Sequence, residues 1–298
     1  MFCSTEYNSE LVQNYAYSEK GLSMMSMKKP NISAVTAETK ADRHFVNALG
    51  RGLELLACFR HGDRMLGNQD LARACGLPKS TVSRLTNTLT KLGYLVYVED
   101  SAKYSLGTAT LSLGSAMFAR LDIRKLAHPR MQELADFSQC MVTLGTRDRL
   151  SMLYIDVVRG SGAVTLSLDM GSRINIATSA IGRAYLTAVT ERERNEIVER
   201  VCELAPENRW TEIREGVVRA QSDIRELGVC CSFGEWQKDV NAIAVPVRPG
   251  GGLPPMPINC GAPAYIVSKE FLLEQVRPRL IKLANDLETS LGTINEHH

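Results

Sequence analysis

The sequence predicts an α+β protein: an N-terminal winged helix-turn-helix, a linker helix, and a larger C-terminal α/β domain with a mainly antiparallel sheet. Three observations carry this prediction. The stretch Leu71–Gly107 reads as helix, turn, helix and hairpin in immediate succession. Beyond Met141 the pattern changes to short β-branched runs broken by Gly, Ser and charged residues. A length of 298 residues suits two domains, each with its own core.

Residues 1–40 are rich in Ser, Thr and Asn without lasting periodicity. They read as a disordered tail, or as a start assigned too early, with Met24, Met25 or Met27 the true beginning. Residues 41–107 form the winged domain, 108–124 the linker helix, and 125–298 the second domain. Phe45, Val46, Leu49, Leu53, Leu56 and Phe59 recur at helical spacing and give a first helix. Asn68 is placed to cap the next one, with Leu71, Ala72 and Cys75 turned inward. Gly76 suits a left-handed turn and Pro78 the first position of the following helix. In that helix Val82, Leu85, Leu89 and Leu92 make a core-facing stripe, and Gly93 stops it. The wing reads as Leu95–Val98, a turn over Glu99–Ala102, and Lys103–Leu106.

Leu111, Leu113, Met117 and Leu121, then Ile123, Leu126, Met131, Leu134 and Phe137, predict two helices, the second broken near Pro129. The apolar surface of the first suits packing against a second subunit. VTLGT, LSMLYIDVV, AVTLSLDM and INIAT predict an antiparallel meander. A helix opens near Ser179. Polar helices over Glu191–Leu204 and Thr211–Leu227 follow, then strands at Val229–Phe233, Asn241–Val247 and Met256–Cys260, and a closing helix at Lys269–Leu291. Arg248–Pro255, with its Pro and Gly, is a loop.

A net charge of +2 does not by itself indicate nucleic acid. The charge is local instead: from Leu71 through Val98 there is no Asp or Glu, while Arg73, Lys79, Arg84 and Lys91 are cationic. Opposite the apolar stripe of the second helix lie Ser80, Ser83, Arg84, Asn87 and Lys91. Hydroxyls, amides and cations of this kind bond phosphates and base edges. Lys79, Ser80, Thr81, Ser83, Arg84 and Asn87, with Lys103 on the wing, are therefore the candidate DNA contacts; the acidic wing tip is ill suited to phosphate. The eight cysteines show no CxxC pair and suit a reducing compartment, the cytoplasm. No apolar run is long enough for a membrane span. Neither Gly-x-Ser-x-Gly, a P-loop nor metal-ligand spacing occurs, so the expectation is a protein that is not an enzyme and needs no cofactor or metal.

Six segments in order, LGRGLELLACF, LARACGLPKSTVSRLTNTLTKLGYL, KYSLGTATLSLGSAM, DMGSRINIATSAIGRAYL, DVNAIAVPV and INCGAPA, resemble IclR-type transcriptional regulators. The resemblance they carry covers about residues 45 to 292. The resemblance implies a winged helix, a linker helix and a GAF/PAS-like effector domain. It also implies a homodimer or homotetramer on a palindromic operator in double-stranded DNA, and a small organic acid as effector. Repression of a catabolic operon is the commoner outcome in such proteins. Two departures stand out: Asn259-Cys260-Gly261-Ala262-Pro263 replaces the family's Ser-x-Ser-Gly-Pro strand, and Asp239 stands where Gly is commoner.

The effector site is expected at Ser179, Ala180, Ile181, Trp236, Asn241, Ala242, Asn259 and Cys260. The helix start at Ser179–Gly182 offers N–H donors and the positive dipole end to a carboxylate, a placement the resemblance also implies. The same residues also describe an ordinary cap with Gly182 present for close packing. Asn241 and Asn259 read as ligand amides or as structural ones, and Trp236 as a lid or a core aromatic. A rival reading from another class takes Cys230, Cys231 and Cys260 as the thiols of a GAF-like redox sensor or small reductase.

Overall fold

The computed structural model describes residues 45–59, 65–119, 122–161, 166–250 and 252–295. The expected tail over 1–40, with Met24, Met25 and Met27, lies outside the described residues. The chain divides into two compact units between Ser112 and Leu113.

The first unit holds α1 (Asn47–Leu56), α2 (Asn68–Cys75), α3 (Lys79–Lys91) and a hairpin of β1 (Leu95–Val98) and β2 (Lys103–Leu106). Its core is Leu55, Leu71, Val82 and Leu95, with Leu85, Leu89 and Tyr104 packed against them. The sequence stripe on α1 is rotated from the buried one. Leu55 is buried, whereas Val46, Leu49 and Leu53 stand in solvent. On α3, Leu92 is exposed because it lies past the last turn, and Thr86 takes the buried place. The Thr86 hydroxyl bonds the Ser83 carbonyl at 3.1 Å and Asn68 Oδ1 at 3.3 Å. Asn68 is thus the first helical residue and not the cap; the backbone N–H of the cap residue, Gly67, is met by the Asp70 carboxylate at 3.1 Å. Gly76 at φ +67° makes the left-handed turn that launches α3. The hairpin is tied down by Leu66, whose N–H and carbonyl both pair with Tyr104.

Helix α4 (Thr108–Ala119) spans the division between the units. In the second unit, α5 (Asp122–Ser138) runs through Pro129 without the expected break. Pro129 faces solvent, so water can meet the carbonyl it leaves unbonded. Ile123, Ala127, Met131 and Leu134 bury the opposite side on both flanks, enough to offset about 3 kcal/mol for an interior proline.

Strands β3 (Met141–Asp148), β4 (Ser151–Arg159), β5 (Arg173–Asn175), β6 (Cys230–Phe233), β7 (Val240–Val245) and β8 (Ile258–Pro263) form one antiparallel sheet in the order β5-β4-β3-β8-β7-β6. Two meanders meet where β3 pairs with β8. The expected strand AVTLSLDM is absent over its described residues, 166–170. Those residues make local turns, and the Leu168 carbonyl is taken by the Arg159 guanidinium at 2.5 Å. One sheet face packs on α5 and the closing helix α9 (Arg277–Asn295), which is preceded by a π-helical turn at Leu272–Val276. The other packs on α6 (Ala180–Ala188), α7 (Glu191–Leu204) and α8 (Trp210–Glu226). Among the described residues no helix is long and apolar enough to cross a membrane.

Candidate nucleic-acid interface and ligand cavity

In the first unit Lys79, Ser80, Ser83, Arg84 and Asn87 are exposed along α3, and Thr81 and Lys103 are partly exposed. Among the described residues no carboxylate pairs with Lys79, Arg84 or Lys103. No described carboxylate neutralises their charge, and Arg84 presents a guanidinium fork, a group that can pair with phosphate or with a guanine edge. Leu71 and Val82, at the centre of the core, hold α2 and α3 together and leave this polar face outward. The 3₁₀ turn Glu99–Ser101 keeps both wing-tip carboxylates in solvent.

In the second unit a cavity of about 10 Å³ lies between the start of α6, the sheet and the loop after β6. Ser179, Ala180, Trp236, Ala242 and Asn259 line it, as five of the eight expected residues. Tyr154, Ser232 and Gly261 also line it, with Leu166, Ile174 and Val240 as its apolar part. The pairing register explains the convergence: Ala242 faces Gly261 across β7 and β8, and Asn259, two residues back, points to the same side.

Three expected residues point elsewhere. Strand alternation turns Asn241 and Cys260 to the other sheet face, because each is one residue from a cavity-lining neighbour. Asn241 donates its amide to the Val267 carbonyl at 3.1 Å and is a structural amide. Cys260 is fully buried there, with its sulfur 3.7 Å from Ser138 Oγ. Ile181 is buried against β3 at Gly145, where any larger residue would meet its Cδ1.

The helix start is built as a cap as well as a wall. The Ser179 hydroxyl accepts from the Gly182 N–H at 3.3 Å and donates to the Asn175 carbonyl at 2.5 Å. Asn175 Oδ1 accepts from the N–H groups of Ala177 and Thr178. Gly182 allows α6 to press on the Ile176 backbone, which a β-carbon would strike. Of the N–H donors at this helix start, that of Gly182 is therefore occupied.

Arg183 was not singled out by the sequence, although a cation within the apolar run of α6 was the signal. It is 2% exposed on its side chain. Its guanidinium bonds the carbonyls of Ala177 and Cys231 and grips Glu235 through both oxygens, at 2.9 and 2.6 Å. Arg219 adds a third bond to Glu235 at 2.7 Å. Burial works to raise the Glu235 carboxyl, but the two arginines outweigh it and hold it below the usual carboxylate range. Glu235 directly precedes Trp236, so this clamp fixes the loop that covers the cavity. Ser232 on the same segment donates to the Thr178 carbonyl at 2.8 Å.

The sheet does not bring the thiols of Cys230, Cys231 and Cys260 together. Cys230 and Cys231 point to opposite sheet faces, and β7 separates Cys231 from Cys260. Burial pushes the thiols of Cys230 and Cys231 up to about 12, which favours the protonated form over the nucleophilic thiolate.

The chain matches the family model of the IclR helix-turn-helix domain over residues 48–99 and that of the bacterial transcriptional regulator IclR C-terminal domain over residues 115–289. It is 32% identical over 248 residues to the HTH-type transcriptional regulator TsaQ1/TsaQ2 of Comamonas testosteroni, covering 83% of this chain and 88% of that one. A crystal structure of an IclR family transcriptional regulator from Brucella abortus aligns with a TM-score of 0.74 at 44% identity, covering 84% of this chain and 94% of that one. An IclR homologue from Microbacterium hydrocarbonoxydans, crystallised with 4-hydroxybenzoate, shares the fold with a TM-score of 0.67 at 20% identity, over 83% of this chain and 100% of that one.

Proposed function

The chain belongs to the IclR family of bacterial transcriptional regulators, and on that premise we propose that it is a repressor of a catabolic operon whose hold on DNA answers to a small organic acid. Residues 41–107 serve as the DNA-binding part, 108–124 as the linker and 125–298 as the effector part. Helix α3 enters the major groove, where Arg84, Ser80, Ser83 and Asn87 meet base edges and Lys79, Thr81 and Lys103 meet phosphates. One such headpiece makes few contacts, so two must pair on a palindrome, as a homodimer or homotetramer. The exposed stripe Val46, Leu49 and Leu53 on α1 supports such pairing, since solvent is a poor neighbour for it.

The effector reading rests on one observation: Ser179, Ala180, Asn259 and Trp236, from three separate segments, line one cavity. The α6 start receives a carboxylate, the Asn259 amide and Ser232 hydroxyl bond its polar substituents, and Trp236 covers an apolar or aromatic body. The fold accommodates an acid of this kind in the Microbacterium hydrocarbonoxydans protein. Ligand cavities run roughly 300–1,000 Å³, so an effector selects a more open arrangement than this one. A tenfold change in DNA affinity needs about 1.4 kcal/mol of preference between the two arrangements. The test is a thermal-shift screen of aliphatic and aromatic carboxylates on the full chain and on Asn259→Ala. A ligand that stabilises both equally rules out this site.

A further inference from the structure

The DNA-binding unit contains a pair of cysteines that its polar face does not use. Cys58 follows the end of α1 and Cys75 is the last residue of α2, and their sulfurs lie 3.1 Å apart. Both are partly exposed, whereas the other five cysteines among the described residues are buried. Cys75 also directly precedes Gly76, the left-handed turn that sets the direction of α3.

We propose that Cys58 and Cys75 are an oxidant-responsive dithiol that closes to an intramolecular disulfide and weakens DNA binding. The oxidant class is a hydroperoxide. One thiolate attacks the peroxide oxygen, the O–O bond breaks, and water or an alcohol leaves on taking a proton, giving a sulfenic acid. The second thiolate attacks that sulfur, the S–O bond breaks, and hydroxide leaves as water on taking a proton. The pair of sulfurs loses two electrons and the peroxide gains two. A disulfide bond is about 2.05 Å long, so closure brings the two sulfurs about 1 Å nearer and fixes the torsions that join the end of α1 to the end of α2. Hydrogen bonds to base edges tolerate only a few tenths of an ångström of such displacement. The cross-link thereby acts on the residue before Gly76, the turn from which α3 takes its direction.

The experiment uses the reduced full chain, hydrogen peroxide, and a duplex selected from a random library by the reduced protein. Peptide mapping after alkylation is expected to find Cys58 joined to Cys75 first, before any other cysteine. Affinity for the duplex is expected to fall about tenfold, the loss of one base contact, and to return with dithiothreitol. Cys58→Ser, and Cys58→Ala should the serine fold poorly, is expected to bind the duplex normally and to ignore peroxide. The mapping reads the dithiol independently of any effector. Cys58 and Cys75 still alkylatable after buried cysteines have oxidised, or a cross-linked protein with unchanged affinity, overturns the proposal.

Discussion

Gly216 and Arg183 are fitted to one another: the Arg183 guanidinium occupies the place where a β-carbon on Gly216 would stand. Gly216→Ala is therefore expected to push Arg183 off Glu235 and to destabilise the chain by about 1–3 kcal/mol. Arg183→Met fills the space without the charge. It leaves Glu235 to Arg219 alone, and since Glu235 is partly hydrated the cost is about 2–3 kcal/mol, below that of a fully buried pair. Chemical denaturation of both variants checks the order.

The same clamp predicts a pH dependence. Glu235 in the folded chain is held below its ordinary value of 4.5, so its contribution is fully present above that value and is lost as pH falls through the lowered one. Glu235→Gln removes the titration. Melting midpoints of the two proteins are expected to differ most near neutrality and to converge as the solution is acidified below about 4.5. Parallel curves down to strong acid would rule the clamp out as a source of stability.

Asn241 and Asn259 separate structure from binding. Asn241→Ala strands a buried Val267 carbonyl and is expected to cost about 1–3 kcal/mol while leaving ligand-induced stabilisation intact. Asn259→Ala is expected to do the reverse: a small change in stability and loss of the thermal shift given by the effector. The two shifts, read side by side in one screen, assign the site to the sheet face that Asn259 occupies.

On DNA, Arg84→Ala is expected to lose about 1–3 kcal/mol and to relax preference at one base position. Lys103→Ala is expected to weaken binding evenly across sequences and to reduce the salt slope by about 1. Titrations at several salt concentrations against matched and mismatched duplexes distinguish them. An Arg84→Ala protein with unchanged sequence preference would make Arg84 a phosphate contact.

Patterns tied to backbone geometry were legible in the sequence. Gly76 and the hairpin at Leu95–Leu106 appear as expected because φ restrictions and strand alternation act over a few residues; Pro78 stands one place outside α3, as its N-cap at ψ 142° and not its first residue. The convergence of Ser179, Trp236 and Asn259 was legible through a resemblance, since nothing local brings residues from α6 and β8 together. Asn241 and Cys260 were misplaced by one step of strand alternation, which decides the face and depends on register across β7 and β8. The α1 stripe was misread because an exposed apolar face and a buried one share one period; only packing against α2 and α3 tells them apart. Arg183 escaped notice because its partner lies 52 residues away, in a loop with no regular pattern.

The pairing of β3 with β8 has a consequence for how the protein is made. Met141 and Gly261 are neighbours in the sheet but 120 residues apart in the chain. The seam of the larger unit therefore closes only after most of it, all but its closing helical segment, has left the ribosome. The winged unit needs no such wait, because its contacts are local and its last strand ends at Leu106. Newly emerging chains pass through a stage in which the headpiece is finished while the β3–β5 meander still exposes one apolar edge, the interval in which chaperones matter most.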